Sequence, residues 1–195
     1  MRDTALRHVV ERVSGGDGPV VDIATGRGML LERLAGATSR PIVATDISPT
    51  ILGRVRTRLA AADVMYVAAD AHALPFRDAS IPTLVSHVGL ANVPDAPSLL
   101  RELRRAGASL YATHVLYEDS DEANRNAARA RGIDTLLFRE TALRAFAEAG
   151  WRATFAAERA VRSEPTSASA VIPSVEIDAL PVQATRVTWC VVEAS

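Results

Sequence analysis

The stretch Val20-Val21-Asp22-Ile23-Ala24-Thr25-Gly26-Arg27-Gly28 holds the densest chemistry in this chain. An apolar run ends in small residues, and an amphipathic pattern begins directly after them. Glycine lets the backbone pass close to a ligand because no Cβ stands in the way. Free amides at a helix start favour an anionic group, here a carboxylate. Two acids follow at the ends of later apolar runs. Asp46 stands where a carboxylate can accept both hydroxyls of a ribose, although an aspartate ahead of Ser48-Pro49 also suits a helix cap. Asp70-Ala71 opens the run Asp70-Ala71-His72-Ala73-Leu74-Pro75-Phe76. An acid there can accept from an adenine amino group while the next backbone amide donates to the ring. Ser86-His87 closes a further apolar run, and an unperturbed histidine titrates near neutrality. By themselves these residues read as a site for a nucleotide-like ligand at the strand ends of an open sheet.

Such a site needs a parallel sheet to carry it. Leu6, Val9, Val10 and Val13 fall at helical spacing and predict a first amphipathic helix, broken by Ser14–Pro19. Strands are expected at Val20–Ala24, Pro41–Thr45, Val64–Ala68, Ile81–Ser86 and Ser109–Val115. Helices are expected between them at Met29–Ala35, after Ser48, and at Asp95–Ala106. This alternation predicts an α/β fold whose mostly parallel sheet has helices on both faces. The rhythm then changes. Asp119–Arg131 reads as a polar surface helix, Glu140–Ala149 as a second helix, and Trp151–Val161 and Arg186–Glu193 as two last strands. Between those strands, 162–185 is an excursion with three prolines, in which Val175–Leu180 reads as an extra edge strand or a flap.

Composition narrows the classes. With 195 residues, 48 % of them hydrophobic, residues 1–195 read as a single globular domain with a short N-terminal helix in 1–18. The net charge is -1 and the 22 basic residues, all arginine, are interleaved with acids, which argues against a nucleic-acid footprint. Arg101, Arg104 and Arg105 read as a solvated helix face. The N-terminus lacks the unbroken apolar stretch of a signal peptide, and no segment approaches a membrane span, so a cytoplasmic protein is expected. The lone Cys190 lies in an apolar run and reads as a buried thiol, and the four histidines form no ligand-like spacing, so no metal is expected.

In their order, Asp22 through Gly28, then Asp46, then Asp70-Ala71 before Leu74-Pro75-Phe76, these motifs resemble class I S-adenosylmethionine (SAM)-dependent methyltransferases, with Ala24 where that family usually has its first glycine. Asp22–Gly26 and Gly89-Leu90-Ala91-Asn92-Val93 are most similar to the quinone-biosynthesis C-methyltransferases. The resemblance covers Val20 to Gly150, and Trp189–Glu193 resembles the fold's closing strand. It implies a Rossmann-like seven-stranded sheet with an antiparallel last strand, SAM as cofactor, and a small-molecule acceptor. It implies that Ala24, Thr25, Gly26 and Gly28 line the methionine part of SAM with Asp22 behind them. Arg27 would face the SAM carboxylate or solvent. Asp46 would hold the ribose, Ile47 pack on the adenine, and Asp70 and Ala71 read the adenine edge. Ser86 and His87 would lie beside the transferable methyl, with His87 either the catalytic base or a residue that only packs on or hydrogen-bonds SAM. His114 and Tyr117, at the end of the fifth strand, lie on the same rim, where one of them would contact substrate; the other reading of His114, as a satisfied core residue, is preferred, and His72 is expected at the surface.

Two other readings stand beside this one. An NAD(P)-dependent oxidoreductase predicts a third glycine where Gly26-Arg27-Gly28-Met29-Leu30-Leu31 has leucine. A non-catalytic SAM-binding subunit, its site roofed by a second protomer in a homodimer, would account for a short N-terminal segment.

Overall fold

The computed structural model describes residues 2–60, 62–165 and 181–195. The expected edge strand or flap at Val175–Leu180 lies outside them. Helix α1 (Arg2–Ser14) leads into β1 (Val20–Asp22), α2 (Met29–Ala35), β2 (Ile42–Asp46), α3 (Pro49–Arg58) and β3 (Val64–Ala68). Next come β4 (Ile81–His87), a 3-10 turn at Leu90–Asn92, α4 (Ala96–Ala106) and β5 (Gly107–Tyr117). The chain closes with α5 (Glu122–Arg129), α6 (Asp134–Leu137), α7 (Arg139–Glu148), β6 (Ala153–Ser163) and β7 (Thr185–Ala194).

The seven strands form one sheet in the order β3-β2-β1-β4-β5-β7-β6. The first five run parallel, and β7 runs antiparallel to both its neighbours. Successive strand residues point to opposite faces. Val20, Ile42, Ala44 and Val85 therefore pack with α1, α2 and α3, while Val21, Leu84, Leu110 and Val192 pack with α4 and α7. The order reverses at β1, between β2 and β4. Loops leaving the carboxyl ends of β1 and β4 diverge there and open the crevice in which such sheets bind ligands.

Several boundaries differ from the expectation. β1 stops at Asp22 because Ala24 adopts a left-handed φ of 52° and turns the chain out of the sheet. β5 begins at Gly107, directly after α4; a Cβ there would lie 2.4 Å from Leu84 Cδ1, so only glycine lets helix pass into strand at that point. The polar helix is shorter than expected, with Asp121 capping it by accepting from the Asn124 amide. A further single turn, α6, forms because Ile133, Leu136 and Leu137 bury over the end of β5. β6 and β7 form a long ladder whose register shifts between Ala156 and Arg159, where Ala157 takes a positive φ. Arg162, Ser163 and Thr185, expected in the excursion, belong to that ladder.

Candidate functional site

The turn after β1 is built from hydrogen bonds that its own sequence supplies. The Thr25 amide donates to the Thr45 carbonyl at 2.9 Å and the Gly28 amide to the Thr25 carbonyl at 2.8 Å. Gly28 caps α2 at φ 69°, and a Cβ there would lie 2.7 Å from Val55 Cγ1, so both the turn and the close approach of α3 require glycine. The Gly26 amide donates to Asp46 Oδ2 at 3.0 Å, and the Ser48 amide to Asp46 Oδ1 at 2.9 Å. Asp46 thus ties the β1 turn to the start of α3, while the Ser48 hydroxyl performs the capping by accepting from Ile51. Ile47 follows with 73 % of its surface exposed, an apolar side chain standing open on the rim. Arg27 is exposed.

Asp22 lies beneath this turn, fully buried. Its Oδ2 accepts from the Thr25 hydroxyl, and its Oδ1 has no hydrogen-bond partner. Burial pushes its carboxyl up to about 7; the Thr25 hydrogen bond works against that rise and the nearby Asp46 adds to it.

Asp70 follows β3 on an exposed loop and takes both the amide and Nδ1 of His72 on one oxygen, each at 2.9 Å. His72 is not the plain surface residue expected. Its Nε2 reaches the Pro94 carbonyl at 2.9 Å, so the ring bridges this loop to the segment before α4. Burial disfavours the His72 cation, but the hydrogen bonds to Asp70 and Pro94 outweigh it, and the group titrates above its ordinary value. Arg105 also departs from the solvated face expected of it. It donates to the carbonyls of Leu74 and Phe76 and to the carboxylates of Asp78 and Glu102, while Glu102 accepts from the Leu74 amide at 2.7 Å. Helix α4 thereby holds the loop at 70–76 from below. The Glu102–Arg105 spacing of three marks an ion pair in the sequence, but not what the pair grips.

Ser86 is turned inward, its hydroxyl donating to the Ile23 carbonyl at 2.8 Å. It joins β4 to the end of β1 rather than presenting its oxygen to the crevice. His87 is half-buried, with Nδ1 2.6 Å from the Thr113 hydroxyl of β5. Thr113 went unnoticed in the sequence because strand register alone brings it beside His87. Gly89 was likewise missed as a packing residue: a Cβ there would lie 2.8 Å from both Ala24 Cβ and Ser86 Oγ. Its absence lets the segment after β4 close against the β1 turn. His114 is buried, with Nε2 2.7 Å from the Leu136 carbonyl, while its Nδ1 has no partner. Burial of Cys190 pushes its thiol up to about 12. Among the described residues no cluster of three His, Cys, Asp or Glu side chains could hold a metal ion, and no helix is long and apolar enough to cross a membrane.

A methyltransferase-domain family model matches residues 20–109, which takes in every loop just described from the β1 turn to the loop after β4. Residues 20–109 thus match a methyltransferase domain over nearly half of the chain. The ubiquinone/menaquinone biosynthesis C-methyltransferase UbiE of Xylella fastidiosa is 39% identical over 101 residues, 48% of this chain and 39% of that protein. The first curated relatives matched are covered over only about a third of their own length, 35%. Among solved structures, the YcgJ protein of Bacillus subtilis superposes with a TM-score of 0.75 at 11% identity, covering 99% of this chain and 98% of that one. A phosphoethanolamine N-methyltransferase of Haemonchus contortus in complex with SAM gives 0.61 at 16% identity, covering 80% of this chain and 38% of that one.

Proposed function

We propose that this chain is a methyltransferase that binds SAM over the carboxyl ends of β1, β2 and β3 and methylates a small-molecule acceptor in the cytoplasm, with residues 1–195 acting as one domain. The observation that carries this reading is the buried, unpartnered Asp22 Oδ1 beneath a turn in which Gly28 leaves no room for a Cβ, with Asp46 and the exposed Ile47 on the adjacent strand end. An unpartnered buried oxygen is costly to the fold, so a donor is expected from the ligand.

SAM would supply a methyl group already activated on a sulfonium. What falls to the chain is chiefly alignment, which can lower a barrier by about 7–11 kcal/mol. Ala24, Thr25, Gly26 and Gly28 seat the methionine end. The remaining lone pairs of Asp46 take the ribose hydroxyls, its two amide contacts holding the carboxylate in place. Ile47 covers one face of the adenine. The oxygen of Asp70 not engaged by His72 accepts from the adenine amino group, and the Ala71 amide donates to the ring. Ser86 fixes the spacing of β1 and β4, and His87 serves as base where the acceptor carries a proton. Thr113 orients its ring.

Calorimetric titration with SAM and S-adenosylhomocysteine tests the reading. Binding of both is expected, and binding of neither overturns it. Asp46→Ala should weaken S-adenosylhomocysteine binding by about tenfold or more, the equivalent of one hydrogen-bonded charge. Unchanged affinity in a variant that still melts cooperatively would remove Asp46 from the site.

A further inference from the structure

The two edges of the sheet are built differently. β6 forms one edge and carries Glu158, Arg159 and Arg162, and its ladder with β7 is broken by a register shift where Ala157 takes a φ of 52°. Charges and bulges of this kind keep an edge strand from taking a further strand. β3 forms the other edge. Its residues Val64-Met65-Tyr66-Val67-Ala68 hold no charge and no proline, and their register with β2 is unbroken. Among the described residues no strand pairs with the outer side of β3. Val64 and Tyr66 pack with Leu52 and Val55 of α3. Met65 points to the opposite face, where 56 % of its surface is exposed. The Tyr66 hydroxyl is buried and has no hydrogen-bond partner. A hydroxyl in that state weighs on stability until a polar group meets it.

We propose that the outer edge of β3 is an interface with a second copy of this chain, the two β3 strands pairing antiparallel about a two-fold axis at Tyr66. A two-fold interface sets one surface against itself, so the strand must be complementary to its own reverse. Each face of the joined sheet stays continuous only where a residue lies opposite one that points the same way. With the axis at Tyr66, Val64 faces Ala68, Met65 faces Val67 and Tyr66 faces Tyr66, so all five residues pair and every contact is between like faces. The acids flanking the strand, Asp63 and Asp70, then fall opposite Ala69 and Ala62. Moving the axis to Met65 or to Val67 shortens the pairing and sets Asp63 against Val67 or Asp70 against Val64. At the axis the two Tyr66 side chains lie side by side, one hydroxyl donating and the other accepting. A second copy thus brings the polar group that Tyr66 lacks within its own fold. Five paired residues make a small interface, so a dissociation constant on the order of 10 μM is expected.

Sedimentation equilibrium of the whole chain, from about 1 to about 200 μM, reads the association. The mass should rise with concentration towards twice the 20.8 kDa of one chain. Met65→Lys sets a charge into the pairing at a position that is already exposed, so the monomer should still melt cooperatively while association weakens about tenfold or more. Tyr66→Phe removes only the hydroxyl. It should weaken association several-fold and leave the melting temperature of the dilute monomer unchanged or raised, because that hydroxyl has no partner there. The register is read by cross-linking. Under mild oxidation Tyr66→Cys should join two copies covalently, since residues directly opposite across an antiparallel pair lie within reach of a disulfide. Ser39→Cys, exposed near the amino ends of the strands, should not, and the native Cys190 is fully buried. A chain that stays monomeric to the highest concentration would overturn the inference and leave the edge to a strand of another protein. A dimer that Met65→Lys does not weaken, or in which Tyr66→Cys fails to cross-link, would place the interface elsewhere and overturn it as well.

Discussion

Asp22 sets the terms at the scale of single residues. Its carboxyl titrates higher in the folded protein than in the unfolded chain, so folding holds a proton that the unfolded chain has lost. Stability contributed at this position is therefore greatest in acid and falls as pH rises from the ordinary carboxyl range to about 7. Asp22→Asn removes the titration and should raise the melting temperature at pH 8, on the order of 5 °C, with a smaller gain at pH 5. Melting curves of both proteins at the two pH values check this, and a destabilised Asn variant at pH 8 would contradict it. A residue that weakens its own fold in this way fits a site better than a core. Asp46 stands in contrast, since two backbone amides support its carboxylate before any ligand arrives.

The loops at the strand ends are held by the elements packed against them. Glu102 of α4 accepts from the Leu74 amide, and Arg105 donates to the Leu74 and Phe76 carbonyls. Replacing Glu102 by alanine leaves the part-buried Leu74 amide without its acceptor and takes one of two carboxylates from the Arg105 guanidinium, which should cost about 1–3 kcal/mol in urea denaturation. Because the loop carries Asp70 and Ala71, the same variant should also bind S-adenosylhomocysteine several-fold more weakly. Loss of stability with unchanged affinity would show that the loop plays no part in binding. Gly89→Ala acts from the opposite side. Its Cβ would meet Ala24 Cβ, Ser86 Oγ and the Ala24 carbonyl within 2.9 Å, so the segment after β4 must retreat from the β1 turn. Overpacking of this kind typically costs about 1–3 kcal/mol. A matching fall in ligand affinity would place the site between the two loops.

Across the whole molecule, the two ends of the sheet have separate duties. The carboxyl ends bear the site, and the amino ends are closed by Arg40. Its guanidinium donates to the carbonyls of Val13, Asp17 and Gly18 and to the Thr83 hydroxyl, joining α1, the loop after it and the start of β4. Lysine cannot replace this fork, because its ammonium is a single point of charge. Arg40→Ala should lower stability by about 1–3 kcal/mol in urea while S-adenosylhomocysteine binding stays unchanged. An affinity change there would mean that the two ends of the sheet are coupled. Next to the β6 edge of the sheet, His8 and Arg12 of α1 both reach Glu193 of β7, so the first helix and the last strand are held together.

The sequence alone was enough for the strand-end motifs and the alternation that carries them. Asp22, Gly26, Gly28, Asp46 and Asp70 were readable as a pattern because each signal is local: the turn after the first strand takes glycine at positive φ, and an acid closes or follows each of the first three apolar runs. The parallel sheet followed from the regular spacing of β-branched runs and amphipathic helices. Only the tertiary structure decided which side chains meet. Thr113 reaches His87 through strand register, Glu102 and Arg105 reach a loop that lies about 30 residues earlier, and Ser86 turns to Ile23 rather than to the crevice. The short α6 eluded the sequence because a single turn has no periodicity and forms only where β5 offers it a surface. The electrostatic state of Asp22 is likewise tertiary. An aspartate after two valines reads the same whether a cation faces it or not, and here the fold brings it only Asp46.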